Sequence, residues 1–291
     1  MSVMIKVKKK LISLFSNPKI FLTKIKKKLV LLMTNPLGHF IFDPLEKLIN
    51  PYPKESSIKG LGKGYSVVII TGADDLAMLE DVIISIDQEL AGTPAEIILV
   101  GPAKIKLSRQ FNVPVKIITY RDIKFLTPMI TRKKNLGVKS CQYNKVVVTH
   151  DYVLFEAGWR AGWDRFGDDF DIAMNKMKNQ DGSRFRDWLA WDYPGIGVGF
   201  LPYTAEVTPY QFINGTYFVI KRDFYLANPL NEKLRWGEGE DIEWSKRIRT
   251  KTVFKFNPHS SVKCAKFKPP IKDWDNNSMA LQKIFSQELL D

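Results

Sequence analysis

Short runs rich in Val and Ile constrain the fold more than any other feature of the chain. They are "SVVIIT" (66–71), "AEIILVG" (95–101) and "KVVVTHD" (145–151), and "PVKIITY" (114–120) is similar. Continuously apolar, β-branched runs of this length are typical of strands buried on both faces of a parallel sheet. The sequence therefore predicts an α/β fold with a mostly parallel central sheet.

Helices are predicted between these strands. Residues 76–86 place Leu, Val and Ile at helical spacing, and Asp74 and Asp75 precede them as candidate caps. Residues 128–142 predict a second helix before the last of these strands. Strand and helix in alternation build a right-handed parallel sheet flanked by helices, with its ligand cleft at the carboxyl ends of the strands.

The chain changes character after Asp151. Residues 155–200 contain four Trp and many Asp and Gly with weak periodicity, so we interpret them as long loops and short helices over one side of the cleft. Residues 211–225 predict a further strand, and residues 252–267 predict extended structure. The second half of the sheet is therefore expected to be less regular than the first.

The composition also divides the chain. A stretch rich in Pro, Gly and Ser begins at Asn50 and predicts a linker. We therefore predict a basic N-terminal extension with its linker at 1–62 and one large domain at 63–291, a length that suits a sizeable core. The domain is expected to comprise two halves, residues 63–151 and residues 152–291.

The positive charge lies mostly at the N-terminus. Residues 1–63 hold 13 Lys and 3 acidic residues, and so carry +10 of the net charge of +13. Their apolar runs are shorter than the roughly 20 residues that span a bilayer, and they do not fit a secretory signal. They predict an amphipathic segment on an anionic membrane surface. A solvated extension packed on the domain and an arm for nucleic acid are the alternatives, but charge alone gives no nucleic-acid readout, so no nucleic-acid partner is predicted.

Cysteine usage bears on the compartment. Cys141 and Cys264 lie in apolar or mixed stretches, and two cysteines in a chain of 291 residues do not make a disulfide framework. We predict that both are reduced and buried. The chain is therefore expected to be a cytoplasmic protein that associates peripherally with a membrane.

A carboxylate ends the third of the buried strands. Asp151 follows "KVVVTH" and is expected at the carboxyl edge of the sheet, where it can hold a divalent ion against a diphosphate. Oxygen ligands suit Mg²⁺ or Mn²⁺, which retain waters and take substrate phosphates as further ligands. The alternative is an ordinary turn or cap residue.

An acidic cluster lies far from Asp151 along the chain. "LRWGEGEDIEWSKRI" (234–248) places Glu238, Glu240, Asp241 and Glu243 around two glycines at the start of a predicted helix. Acids at the first turn agree with the helix dipole, so a purely structural role is one alternative. Neighbouring carboxylates also repel one another, and a carboxylate in such a setting can accept a proton from a sugar hydroxyl.

Taken together, these segments resemble a known family. "SVVIIT" with its helix and "AEIILVG", then "RKKNLGVKSCQYNKVVVTHDYV", "NGTYFVIKRDFY" and "WGEGEDIEWSKRI", are similar in order and spacing to family 2 glycosyltransferases and their relatives of the GT-A fold. "WGEGED" is also similar to a motif of animal galactosyltransferases. The resemblance covers about residues 65–265 and implies a nucleotide-diphospho-sugar transferase.

The resemblance implies a role for each matching position. Thr71 and Asp74 correspond to the loop that meets the nucleotide, and Arg132 and Asn135 lie near the diphosphate or donor sugar. Asp151 belongs to the Asp-X-Asp metal motif, and His259 is a further metal ligand. Asp241 is the general base, with Glu240 beside it. A structural role is the alternative for His259. The family's second metal-motif acid is absent, since Thr149 and Tyr152 flank the "HD" pair, and "VGPAKIK" replaces an acidic loop.

The implied reaction is metal-dependent transfer of a sugar, with Mn²⁺ or Mg²⁺, from a nucleotide-diphosphate donor to a hydroxyl of a glycan or lipid-linked acceptor. Asp241 on the opposite face of the sugar implies inversion, and polysaccharide assembly is the expected setting. Trp236, Trp188 and Trp191 offer flat faces for sugar rings, with ordinary loop packing as the alternative. A non-catalytic, membrane-associated protein with a degenerate fold that binds glycan or nucleotide is the competing interpretation.

Overall fold

The buried strands predicted from the sequence form one side of a large sheet. The computed structural model describes residues 36–52, 62–123, 127–204, 209–267 and 274–287. The chain divides into two compact units, one of residues 1–51 and 122–128 and one of residues 52–121 and 129–291. The Lys-rich residues 1–35, on which the prediction of membrane contact mainly depends, lie outside the described residues.

In the first unit the structure describes helix α1, Pro36–Ile49. Asn50 closes it, since both its main-chain N–H and its side-chain amide donate to the Glu46 carbonyl, at 3.1 and 3.0 Å. Phe40 and Leu48 are exposed along this helix. No helix in the described parts of the chain is both long and apolar enough to cross a bilayer.

The second unit contains the sheets and the remaining described helices. The strands are β1 Gly62–Ile70, β2 Ala95–Gly101, β3 Val115–Thr119, β4 Tyr143–His150, β5 Val153–Phe155, β6 Ile172–Lys178, β7 Leu189–Tyr193, β8 Gly197–Phe200, β9 Gln211–Phe212, β10 Tyr217–Lys221 and β11 Lys255–Cys264. The helices are α2 Leu76–Leu90, α3 Ile130–Lys139, α4 Trp159–Phe166, α5 Arg222–Ala227, α6 Glu240–Ile248 and α7 Trp274–Gln287. The large sheet has the order β3-β2-β1-β4-β10-β6-β11-β5, and a small sheet has the order β8-β7-β9.

Strands β3, β2, β1 and β4 are parallel, as their apolar sequences predict. Val68 of β1 lies between Ile98 of β2 and Val148 of β4, and all three side chains are fully buried. Helix α2 begins where predicted, because the Asp75 carboxylate accepts the Met78 N–H at 3.0 Å. The predicted α/β architecture with a mostly parallel central sheet flanked by helices is confirmed.

The far half of the sheet is mixed. Strand β10 runs antiparallel to both β4 and β6, β11 runs parallel to β6, and β5 closes the edge antiparallel to β11. The prediction of loops and short helices over residues 155–200 is therefore wrong in part, because this stretch supplies β6, β7 and β8. Strand β6, "IAMNKMK", lacks a β-branched run, and its burial depends on β10 and β11 far along the chain.

Both cysteines are free and buried, as predicted. Burial raises the pKa of the Cys141 thiol well above its ordinary value. This thiol therefore stays protonated at neutral pH and contributes to the core rather than to chemistry.

Candidate active site

A cleft of about 390 Å³ lies beside the carboxyl end of β4. His150 and Tyr152 line it from the sheet, and Asp241 and Glu240 line it from the start of α6. The other lining residues come from α3, the 186–191 segment, the 212–216 segment, the glycine-rich turn before α6 and α6 itself. They are Ile130, Arg186, Leu189, Trp191, Phe212, Asn214, Gly215, Thr216, Trp236, Gly237, Gly239 and Ile242.

Asp151 is not among the residues that line this cleft, although its two neighbours in the chain, His150 and Tyr152, are. The Thr71 hydroxyl donates to the Asp151 carboxylate at 2.5 Å and accepts the Ala73 N–H at 2.7 Å. Thr71 is buried at the end of β1, the strand next to β4. The adjacent carboxyl ends of two parallel strands thus bring Thr71 and Asp151 together, as expected for the ligand edge of such a sheet.

Asp241 is held at the opposite side of the cleft. Gly239 has φ of 74° directly before α6, a left-handed conformation that glycine adopts without strain. One Asp241 oxygen accepts the Gly215 N–H at 3.0 Å, and the other accepts the Ile242 N–H at 3.0 Å. These two main-chain donors fix the direction of the carboxylate, while each oxygen retains a lone pair for a ligand.

A buried lysine donates a hydrogen bond to Gly215. The Lys134 ammonium donates to the Gly215 carbonyl at 2.7 Å, so the Gly215 peptide connects Lys134 with Asp241. A Cβ on Gly215 would lie 3.1 Å from the Lys134 Nζ and 3.1 Å from the Asp241 Cβ. The position is therefore closely packed, and a side chain there would displace the carboxylate or the ammonium.

Aromatic side chains form the outer part of the cleft. The indole of Trp236 is 60% exposed, and Trp191 packs against Phe212 with ring centroids 5.4 Å apart. Trp188 differs from the prediction: it is 1% exposed and packs in the core, 5.4 Å from the ring of Phe256. Its ring has no face open to a sugar, so for Trp188 the packing alternative is correct.

The cleft contains a cation that sequence reasoning missed. Arg186 is the one Arg or Lys among the described residues that line the cleft. Burial lowers the pKa of its guanidinium, but an arginine side chain stays protonated at neutral pH. Asn214 fixes the segment, since its amide donates to the Arg186 carbonyl at 2.5 Å. Burial also raises the pKa of Tyr152 to about 12, so its hydroxyl is a neutral donor.

Like Thr71, Asp151 and Trp188, four further predicted site residues are not among those that line the cleft. Asp74 is exposed in the loop after β1. Arg132 and Asn135 are buried on α3, where both bond to Glu232, at 2.7 and 3.0 Å. His259 lies in an irregular stretch of β11 whose main chain packs against Gly162 of α4.

The donor set of the site fits a divalent ion only in part. Asp151 can supply one carboxylate at the sheet edge, as Mg²⁺ and Mn²⁺ sites that also use substrate phosphates require. Within the described ranges, no group of three or more His, Cys, Asp or Glu side chains is arranged to hold a metal ion. Asp151 and His259 therefore stay predicted metal ligands, and neither is among the residues that line the cleft.

Comparisons with known proteins identify the fold. No family model and no curated protein sequence matches the chain. Among solved structures, GalNAc-T7 with UDP, GalNAc and Mn²⁺ matches with a TM-score of 0.51 at 16% identity over 72% of this chain. Staphylococcus aureus TarS 1–349 in complex with UDP-GlcNAc matches with a TM-score of 0.49 at 12% identity over 71% of this chain.

These matches extend over part of each relative, since the chain spans 45% of the GalNAc-T7 structure and 59% of the TarS structure. At such identities the likeness concerns the fold alone. The chain has the GT-A fold of nucleotide-sugar glycosyltransferases.

Proposed function

We propose that the protein is a glycosyltransferase that moves a sugar from a nucleotide-diphosphate donor to a hydroxyl of a glycan or lipid-linked acceptor. One observation carries this proposal above all others. Asp241, ninety residues from Asp151 in the chain, lines the same cleft as His150 and Tyr152, the two neighbours of Asp151. In this proposal Asp151 serves the donor and Asp241 serves the acceptor.

Asp241 acts as the general base in this proposal. Its carboxylate is oriented by the Gly215 and Ile242 N–H groups and faces the cleft, so it can take the proton from the acceptor hydroxyl. The hydroxyl oxygen bonds to the anomeric carbon as the bond from that carbon to the diphosphate oxygen breaks. Attack from the face opposite the diphosphate inverts the anomeric configuration, through a transition state with oxocarbenium character.

The sheet side receives the donor. Thr71 holds Asp151, and Asp74 lies in the same loop, where the resemblance expects the nucleotide. A divalent ion, which Asp151 would hold, offsets the charge of the departing diphosphate when it is bound. Arg186 adds a permanent positive charge to the cleft, and a guanidinium can bind phosphate oxygens through two N–H donors.

The aromatic rim receives the acceptor. Trp236 and Trp191 lie on the Asp241 side of the cleft, where flat apolar faces can stack on a sugar ring. A lipid-linked acceptor would agree with the basic N-terminal extension and with the exposed Phe40 and Leu48 of α1. We accordingly propose a peripheral enzyme of polysaccharide assembly at the cytoplasmic face of a membrane.

Release of nucleotide from a panel of donors tests the proposal. UDP-sugars with Mn²⁺ come first, because the GalNAc-T7 structure contains UDP, GalNAc and Mn²⁺, and GDP- and dTDP-sugars with Mn²⁺, Mg²⁺ or EDTA complete the panel. We expect hydrolysis or transfer with one nucleotide class that is lost in EDTA. Binding of a nucleotide without any turnover would contradict the proposal and favour the non-catalytic binding protein. That alternative also agrees with the described residues, among which no three or more His, Cys, Asp or Glu side chains are grouped to hold a metal ion.

A further inference from the structure

We propose that Arg132, Asn135 and Glu232 are positioning residues that fasten the 228–239 loop to helix α3. This inference rests on the proposed function, because the loop leads into Trp236, Glu240 and Asp241 at the acceptor side of the cleft. It gives Arg132 and Asn135 a different task from the donor contact that the family resemblance implies. The contacts that carry it lie wholly within the second unit.

Helix α3 bonds to the loop along its length. The Thr131 hydroxyl donates to the Leu234 carbonyl at 2.8 Å. Asn135 bonds to both main-chain groups of Leu230, donating to its carbonyl at 2.9 Å and accepting its N–H at 3.1 Å. A side-chain amide that matches a main-chain N–H and C=O in this way fixes the loop's register against the helix.

Glu232 connects the remaining partners. Its carboxylate accepts from the Arg132 guanidinium at 2.7 Å, from the Asn135 amide at 3.0 Å and from the Tyr52 hydroxyl. The side chains of Arg132 and Glu232 are 5% and 19% exposed, so this ion pair is well shielded from water. Burial acts to raise the pKa of Glu232, but hydrogen bonds from Tyr52 and Asn135 and the charge of Arg132 outweigh it and lower the pKa.

Tyr52 brings the start of the second unit into the same network. Its ring lies against two cations of α3, with the Lys139 Nζ 3.8 Å and the Arg132 guanidinium carbon 4.4 Å from the ring centroid. Cations over an aromatic face attract its quadrupole. The loop, the helix and Tyr52 therefore form one polar cluster behind the acceptor side of the cleft.

The polar cluster helps to position the rest of the 228–239 loop. Trp236 is 60% exposed, and nothing lies within 4 Å of where a Cβ on Gly237 would be, so the tip of the loop has few packing contacts. Its position therefore depends on anchors nearer its start, which include the bonds from α3 to Leu230, Glu232 and Leu234 and the burial of Arg235. Loosening them should displace the aromatic rim and weaken acceptor binding while the donor side stays intact.

Hydrogen exchange tests the anchor without any assay of activity. In Glu232→Gln, we expect the amides of residues 228–239 to exchange about tenfold faster, because the charge-assisted bonds to Glu232 are lost. Amides of β4 should exchange as in the wild type. Glu80→Gln, which removes a glutamate of α2 whose hydrogen bond with Ser108 is exposed, is the matched control. Unchanged exchange in the loop of Glu232→Gln would overturn the inference even if the protein proves to transfer no sugar.

A double-mutant cycle tests the assignment of Arg132. We expect Arg132→Gln and Glu232→Gln each to raise the acceptor KM by about tenfold or more with little change in the donor KM. The double variant should be no worse than the poorer single one, because removing both partners leaves no uncompensated buried charge. Arg132→Lys should raise the acceptor KM less than Arg132→Gln does. A rise in donor KM in Arg132→Gln alone would support direct donor contact and overturn the positioning role.

Discussion

The two sides of the cleft are built in different ways. The Asp151 side ends a layer of buried strands, in which Val67 and Val68 of β1 pair with Val147 and Val148 of β4 and all four side chains are fully buried. The Asp241 side depends on polar contacts, such as the Gly215 N–H on Asp241 and the Arg132 pair with Glu232. One side is positioned by apolar packing and the other by a few directed bonds.

This difference determines how each side should respond to substitution. Apolar burial is non-directional and is shared among many contacts, so a small change in a buried strand costs stability before it changes geometry. A side that is positioned by hydrogen bonds has few contacts, and the loss of one bonding group leaves its partner without a hydrogen bond. Substitutions in the buried strands behind Asp151 should therefore affect unfolding more than catalysis, and substitutions among the polar contacts behind Asp241 should do the reverse.

The largest effect is expected for Asp241→Asn. The amide oxygen can still accept the Gly215 N–H, so the fold should be kept, but the side chain can no longer take a proton. We expect transfer to fall by about 10²- to 10⁴-fold, the usual contribution of a general base. Initial rates with saturating donor measure this, with Asp81→Asn on the exposed side of α2 as control. Wild-type turnover in the variant would remove Asp241 from the mechanism.

Arg186→Gln should have the next largest effect. A charged hydrogen bond contributes about 1.5–3 kcal/mol, so the loss of the guanidinium should raise the KM of a phosphate-bearing substrate roughly ten- to hundredfold. Arg186→Lys should raise this KM less than Arg186→Gln does. The substrate whose KM changes shows whether the phosphate belongs to the donor or to the acceptor. Arg160→Gln, an exposed residue paired with Asp164, is the control; if both KM values stay unchanged, Arg186 does not bind phosphate.

Two Gly→Ala substitutions compare the sides directly. On Gly137 of α3 a Cβ would lie 2.2 Å from Val68 Cγ1, so overpacking should reduce the free energy of unfolding by about 1–3 kcal/mol with activity per folded molecule kept. On Gly215 a Cβ meets Asp241 and Lys134 at 3.1 Å and should lower transfer with a smaller loss of stability. Urea unfolding and initial rates on both variants decide the comparison. Equal losses of activity would show that the two sides do not differ in this way.

Much of the sheet side follows from the sequence, because its signal is local. "AEIILVG" predicts β2 to the residue, and Asp75 marks the start of α2. Strand β6 could not be predicted in the same way. Asn175 interrupts its apolar pattern yet is fully buried, since β10 and β11 enclose it from distant parts of the chain. Pairing between distant segments, rather than local propensity, forms this half of the sheet.

The site shows the same division. The places of Asp151 after a strand and of Asp241 in the first turn of a helix could be predicted, because a buried apolar run and a Gly-rich turn mark them. Arg186 could not, since "SRFRDWL" has no periodicity and the residue reaches the cleft only through the bond from Asn214 and the pairing of β7. Trp188 fails for the same reason, because sequence does not show which Trp of an irregular segment packs inward.

The smallest expected effect concerns acid stability. The folded pKa of Glu232 lies below its ordinary 4.5, so its ionised form stabilises the native state fully above pH 4.5. This contribution is lost as the pH falls through 4.5 toward the folded pKa, because the carboxylate must then be protonated against its bonds to Arg132, Asn135 and Tyr52. Urea unfolding from pH 6 to pH 3 should give a shallower loss of stability for Glu232→Gln than for the wild type. Glu80 also has a lowered pKa but is exposed, so Glu80→Gln should follow the wild-type curve closely. If Glu232→Gln does so too, the polar cluster does not stabilise the Asp241 side of the cleft.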